Sequence, residues 1–337
     1  MKSPIFVSGL SKSGTSMVKT LFDGHPELFV VPPNELLFFF FSDLVSLNRI
    51  QAPEPTGDPG QLLRNLARSE YNVRMNQPGA GDYREQFNLS AFTEDIDRLE
   101  VSSYAEAMEE LFRAYARNCS TFSGDPATAR FLAKTIWETE YFPELLDWFG
   151  DMKFLYVLRN PYAHFHSALK SMRGGRKGHE GMKLTWRNRF PFIGRQLALM
   201  RTSYYLMRKY RKLFGDRFYV LVYDRLLEDP DTELKQVCDF LEIDFHPALR
   251  CPTILGQPWR GNSWYAENYD GIDKRPLTHW RDKVSQLEIK YVNQHFQDVV
   301  EEFGFEVLPA NCSILKPFHY TETPLVYLAN RVMYFYR

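Results

Sequence analysis

The sequence predicts an α/β protein with a mostly parallel central sheet flanked by helices. Three observations carry that prediction. Short apolar runs at residues 4–8, 153–158 and 218–222 have strand length and lack polar alternation, as strands buried on both faces of a parallel sheet do. A segment with apolar residues at helical spacing follows after each run. Strands that alternate with helices call for crossover connections, and these build a parallel sheet covered on both faces.

The elements follow in order. The run at 4–8 ends at Gly9. Residues 15–23 place Met17, Val18, Leu21 and Phe22 on one helical face, and Gly24 can end that helix. Residues 29–31 read as a second strand, stopped by Pro32 and Pro33. The stretch 52–81 is rich in Pro, Gly and polar residues and reads as an exposed excursion with broken helices. Residues 104–119 form an amphipathic helix with Met108, Leu111, Phe112, Tyr115 and Cys119 inward. A short strand is expected at 131–133. The strand at 153–158 ends in Arg159-Asn160-Pro161, where a helix can begin with proline in its first turn. Residues 173–189 read as a glycine-rich basic loop, and 194–214 as a long helix closed by Gly215. After the strand at 218–222, Asp229 and Pro230 are N-cap and first position of a helix to 241. A last helix spans 283–303, with Leu287, Tyr291, Phe296, Val299 and Phe303 inward and Gly304 behind it. The chain carries no internal repeat. One domain over 1–337 is expected, with a mostly helical insertion at about 42–125.

The composition narrows the function. Of 337 residues, 44% are hydrophobic and 25% charged, as in an ordinary soluble globular protein. Lys plus Arg number 41 against 42 Asp plus Glu, which argues against a general nucleic-acid binder. Any anion site must come from local clustering. The four cysteines (Cys119, Cys238, Cys251, Cys312) form no CxxC pair and are expected as buried reduced thiols, without a metal site. The longest apolar run, 36–41, is too short for a membrane span and reads as a buried strand or helix edge. With no signal-like segment at the start, a cytoplasmic location is expected.

The chemistry concentrates between the first strand and helix, at Gly9-Leu10-Ser11-Lys12-Ser13-Gly14-Thr15-Ser16. Backbone amides of such a loop and the helix start behind it make an anion site. Ser13, Thr15 and Ser16 add hydroxyl donors. Gly9 and Gly14 have the spacing of a nucleoside-triphosphate loop, but Thr15 stands where that loop has its lysine, and Lys12 lies inside instead. A shifted lysine suits a shorter 5′ group that needs no magnesium to neutralise a triphosphate.

This stretch resembles the 5′-phosphosulfate loop of sulfotransferases that use 3′-phosphoadenosine 5′-phosphosulfate (PAPS), which reads K-S-G-T-[ST]. The resemblance implies a P-loop-like sulfotransferase fold and PAPS as co-substrate, with no metal. It implies that Ser11, Lys12, Ser13, Gly14, Thr15 and Ser16 hold the 5′ end of the donor and that Lys12 stabilises the leaving phosphate oxygen. The family also has a strand ending in Arg with Ser eight residues later, both on the 3′-phosphate. Arg159 and Ser167 match it, since 167 − 159 = 8. The stretch from Tyr223-Asp224 to Asp229-Pro230 and Phe240-Leu241 is similar to a structural segment of the family, with Asp224 where Glu is common. Trp259-Arg260-Gly261-Asn262-Ser263 resembles its late loop over the nucleotide, which makes Arg260 and Gly261 donor-binding candidates.

Sulfuryl transfer needs a general base for the acceptor proton. Glu35, after the second strand, resembles the base of tyrosylprotein-sulfotransferase-like members, with a surface carboxylate as the plainer alternative. His25 reads as structural. Of His164 and His166, on the helix after Arg159, His166 is the acceptor-side candidate, with packing as the plainer reading. Lys134 resembles a family position near the acceptor, or is a solvated lysine. The acceptor itself is left open among small molecules, carbohydrates and lipids. The abundant aromatics (27 Phe, 19 Tyr) fit a lipophilic or sugar-facing pocket and an ordinary core equally. Two rival readings are a small-molecule or nucleoside kinase with a variant loop and a catalytically inactive nucleotide-binding relative.

Overall fold

A computed structural model of the chain describes residues 3–32, 58–68, 85–135, 142–173, 186–259, 261 and 271–310. Its centre is a five-stranded parallel sheet of β1 (Ile5–Ser8), β2 (Leu28–Val30), β3 (Arg130–Thr135), β4 (Lys153–Leu158) and β5 (Phe218–Val222), in the order β2-β3-β1-β4-β5. The described helices are α1 (Thr15–Leu21), α2 (Pro59–Arg68), α3 (Leu89–Arg98), α4 (Tyr104–Arg117), α5 (Phe142–Phe149), α6 (Pro161–Arg173), α7 (Trp186–Phe214), α8 (Tyr223–Glu228), α9 (Pro230–Leu241) and α10 (Gln286–Glu302). A small hairpin of β6 (Thr253–Ile254) and β7 (Gln257–Pro258) precedes α10.

The expected α/β class with a mostly parallel sheet is thus the observed one. The first strand is the middle one: Ser8 pairs with Thr135 on one side and Tyr156 on the other. From β1 the chain crosses to β2 at one edge and, after β3, returns past β1 to β4 and β5. The loops after β1 and β4 therefore emerge side by side at the switch point, where open parallel sheets bind ligands.

Both faces of the sheet are covered. Phe6, Phe154 and Phe218 share one register row and one face. The Phe154 ring stacks on Phe142 of α5 at 4.0 Å and on Phe214 of α7 at 5.1 Å. Phe154 has no exposed surface, and burying a side chain of this kind contributes about 1.5–3 kcal/mol. On the opposite face Tyr219 packs on Phe240 of α9 at 5.2 Å. The end of α9 is tied to the sheet, where Lys153 and Arg130 donate to the carbonyls of Phe240 and Leu241. Helices α2, α3 and α4 fall between β2 and β3. There Phe112 of α4 meets Phe131 of β3 at 5.5 Å, and Phe92 of α3 stacks on Tyr115 of α4 at 4.6 Å.

The structure corrects several sequence expectations. The third strand is longer, Arg130–Thr135, because its polar ends are buried along with its apolar centre. The segment 173–189 is not loop throughout: α7 already begins at Trp186 and runs through Pro191, which forfeits one ladder bond. Residues 174–185 lie outside the described part, as does the apolar run 36–41. The last helix starts at Gln286 because Ser285 and Glu288 form a capping box. Cys119 and Cys238 are buried, but Cys251 is exposed, at the end of a 3-10 turn; Cys312 lies outside the described residues. Among the described residues, no helix is long and apolar enough to cross a membrane.

Candidate active site

The loop after β1 is shaped by three left-handed residues, Gly9 (φ 139°), Lys12 (φ 77°) and Gly14 (φ 102°). A Cβ on Gly9 would stand 2.6 Å from the Val157 carbonyl oxygen, so only glycine lets the loop leave β1 against β4. A Cβ on Gly14 would stand 2.4 Å from the Tyr223 ring, which lies across the start of α1. Lys12 has no such licence, and holding a non-glycine residue there costs about 1–3 kcal/mol. Gly14 precedes α1 without a side-chain cap, so the first amides of the helix have no partner within it. The Ser13 hydroxyl is buried with no hydrogen-bond partner among the described residues. Thr15 is buried, while Ser11, Lys12 and Ser16 are partly exposed.

The corner after β4 supplies the second half of the site. Asn160 opens α6 by accepting the Tyr162 amide on its side chain (3.0 Å) and the His164 amide on its carbonyl (2.9 Å). Its own amide donates to Asp224 Oδ2 at 2.8 Å, which links β4 to the start of α8. Arg159 turns toward the first loop: Nη1 donates to the Lys12 carbonyl at 3.0 Å, and Nη2 reaches Pro276 O at 3.5 Å. The guanidinium lies over the Tyr223 ring, 5.7 Å from its centre. Its Nε is buried without a partner among the described residues. Burial raises the Asp224 carboxyl above the ordinary range, and the Arg159 charge and the Asn160 amide offset part of that rise.

His164, one helical turn into α6, directs Nε2 at the Ser11 carbonyl, 2.9 Å away. Burial lowers its pKa to about 4, with Arg159 adding to the effect and the bond to Ser11 opposing it. Ser167 follows on α6, half-buried. His166 is buried with Nδ1 3.2 Å from Glu288 Oε2 of α10. That contact ties the ring to α10, while Nε2 is buried without a partner among the described residues. Lys134 is buried, not solvated, beside Val7 near the end of β3. Its neighbour Lys19 of α1 is buried and donates to Pro32 O at 2.6 Å, where the chain leaves β2. Burial, and then the charge of Lys134, push the Lys19 ammonium well below its ordinary pKa; Asp23 opposes them.

Gly261 is buried. Trp259, before it, donates its amide to Pro252 O at 2.9 Å across the base of the β6–β7 hairpin. Asp23, just past α1, holds that hairpin by accepting from Thr253 Oγ1 (2.6 Å) and the Gly256 amide (2.9 Å). Glu35 and Arg260 lie outside the described residues. The structure thus brings together Ser11–Lys12–Ser13–Gly14 and Arg159, with α6 carrying Ser167 away from the same corner. His25 binds elsewhere: Nε2–H donates to Asp244 O at 2.8 Å and Nδ1 accepts the Glu27 amide at 3.2 Å.

A family model described as "Sulfotransferase family" matches residues 4–247. The chain belongs to the sulfotransferase family. Two solved sulfotransferase domains share its architecture. The sulfotransferase domain from the curacin biosynthetic pathway is 17% identical, with 91% of this chain and 99% of that chain covered and a TM-score of 0.53. The sulfotransferase domain of the Synechococcus PCC 7002 olefin synthase is 18% identical, with 92% and 98% covered and a TM-score of 0.52. A mouse sulfotransferase complexed with PAP is 13% identical, with 100% and 90% covered and a TM-score of 0.41. No curated protein sequence matches the chain.

In this chain three supporting residues escape sequence reasoning. His164 sits 153 residues from Ser11 in sequence, beyond any local pattern. Lys19 sits between core positions of α1, where a lysine suggests a solvated edge. Asp224 reads as structural, and only the fold places its charge beside Arg159.

Proposed function

We propose that the chain transfers a sulfuryl group from PAPS to an acceptor hydroxyl or amine. The observation that carries this reading is the contact between two anion-binding elements. Arg159 braces the loop that holds Lys12, while Arg159 Nε and Ser13 Oγ stay buried without partners among the described residues. Buried donors left unsatisfied are costly, and an anion that accepts from both removes that cost. A donor with phosphate at its 3′ and 5′ positions fits two such elements side by side.

The roles follow from the chemistry of each group. PAPS supplies the sulfuryl group and leaves as the 3′,5′-bisphosphate (PAP). The amides and hydroxyls of Ser11, Ser13, Gly14, Thr15 and Ser16 bind the 5′ end. Arg159 and Ser167 bind the 3′-phosphate, the planar guanidinium matching phosphate geometry. Arg260 and Gly261 close over the nucleotide. Glu35 takes the proton from the acceptor as its oxygen or nitrogen bonds to sulfur. Lys12 stabilises the charge that develops on the departing phosphate oxygen. Glu35 and Arg260 enter on sequence grounds. Lys134 lies on the acceptor side, and the acceptor is a small molecule, a carbohydrate or a lipid.

The test is turnover with radiolabelled PAPS on a panel of phenols, sugars, lipophilic alcohols and amines. Label should move to at least one class, and Lys12→Ala should lower kcat by about 100-fold or more. PAP affinity of that variant should fall less than about tenfold. PAP binding without transfer to any acceptor would favour an inactive relative.

A further inference from the structure

Four carbonyls of the loop after β1 are committed, and they fall into two pairs. Leu10 O accepts the Ser13 amide (3.1 Å) and Gly14 O accepts the Val18 amide (3.0 Å), both locally. Ser11 O and Lys12 O are held from outside, by His164 Nε2 at 2.9 Å and Arg159 Nη1 at 3.0 Å. Both outside donors come from the single corner after β4. In a trans peptide the N–H points opposite to the C=O. Pinning Ser11 O toward His164 therefore turns the Lys12 amide to the other side of the loop, away from the protein body. Lys12 is the non-glycine among the loop's three left-handed residues, so its conformation needs an external hold.

We propose that His164 is a positioning residue for the phosphate loop: its Nε2–H, donated to Ser11 O, orients the Lys12 amide and side chain toward the 5′ end of the donor. The inference rests on the PAPS reading above. A carbonyl only accepts, so the contact requires the Nε2–H tautomer. Arg159 stands beside the ring, and a second cation there would be repelled; burial keeps His164 neutral at physiological pH. A neutral donor on a rigid helix is what the strained loop needs. Lys or Arg at 164 would bring a buried charge, and an aliphatic residue would leave the Ser11 carbonyl unmade.

The test compares ligands that use both subsites with one that uses a single subsite. Affinities for PAP and for adenosine 3′-phosphate are measured on the full chain by titration calorimetry. In His164→Phe, PAP affinity should fall about tenfold. Affinity for adenosine 3′-phosphate, which makes no demand on the loop, should stay unchanged. His164→Gln, whose amide nitrogen can donate where Nε2 does, should recover PAP affinity. A purely structural histidine would leave the ratio of the two affinities as in the wild type, and that result overturns the proposal. Wild-type protein that binds no PAP would contradict the donor reading and the inference with it. Should His164→Phe fail to fold, nitrogen NMR of the wild-type ring decides: a neutral Nε2–H tautomer at pH 7 is expected, and an Nδ1–H or charged ring overturns the role.

Discussion

The loop after β1 turns through three left-handed residues, Gly9, Lys12 and Gly14, whereas the neighbouring corner after β4 turns at Arg159-Asn160-Pro161 without any. The corner holds itself. The Asn160 side chain caps α6, Pro161 fits its first turn, and Asp224 accepts the Asn160 amide. The loop does not: two of its carbonyls are held by the corner, and Val157 O and Tyr223 leave no room for a Cβ at its glycines. One candidate anion-binding element is thus strained and supported, the other relaxed and supporting. Substitutions in the loop should disturb shape and stability together, and substitutions in the corner should separate them.

The largest effect is expected at Gly9. In Gly9→Ala the new Cβ meets the backbone of β4 at 2.6 Å with φ at 139°, and neither can give. The expected loss is about 3 kcal/mol or more, with PAP binding abolished, as read by urea unfolding and calorimetry. A variant that melts like the wild type would mean the loop is not seated against β4.

The pH dependence of stability comes next. Burial lowers the folded-state pKa of His164 to about 4, below the value of about 6.5 in an unfolded chain. The unfolded state therefore takes up a proton first as pH falls. The contribution is fully present above about pH 6.5 and is lost progressively toward pH 4, on the order of 3 kcal/mol in all. His25, also lowered by burial, acts with the same sign. Unfolding at pH 7.5 and pH 5 should show a shallower decline in His164→Gln than in the wild type; equal slopes would contradict a buried neutral His164.

Much of this architecture was legible in the sequence, and for identifiable reasons. Strands β4 and β5 and helix α9 have the expected bounds because uninterrupted apolar runs and the Asp229-Pro230 start leave little choice. Both candidate anion-binding elements could be picked out as motifs, since the residues that would touch a ligand lie close in sequence. The supports could not. His164 reaches Ser11 from the helix after β4, Asp224 reaches Asn160 from the helix after β5, and Lys19 reaches Pro32 from within the core. Such contacts depend on register between distant elements, which composition and periodicity do not encode. The early start of α7 was missed because Pro191 reads as a breaker, yet the helix runs through it at the loss of a single ladder bond.

A smaller effect is expected at Asp224. Asp224→Ala leaves the Asn160 amide without its acceptor and should cost about 1–3 kcal/mol in urea unfolding. Asp224→Asn keeps an acceptor oxygen and should lose less. If both variants are as stable as the wild type, the corner is held by α6 alone.

The smallest change in stability is expected at Ser167, half-buried on α6. Ser167→Ala should leave stability within about 0.5 kcal/mol of the wild type. Its PAP affinity should nevertheless fall about five- to tenfold. Parallel losses of both would place Ser167 in the packing instead of at the ligand.

The central claim is that the two corners together hold a 3′,5′-bisphosphate nucleotide. Thermal unfolding with and without PAP, against ATP with magnesium, tests it most directly, because a ligand that binds only the native state raises Tm. The account expects a clear rise with PAP, its loss in Arg159→Ala, and no rise with ATP and magnesium. A rise with ATP and magnesium but none with PAP would contradict it and point to a kinase.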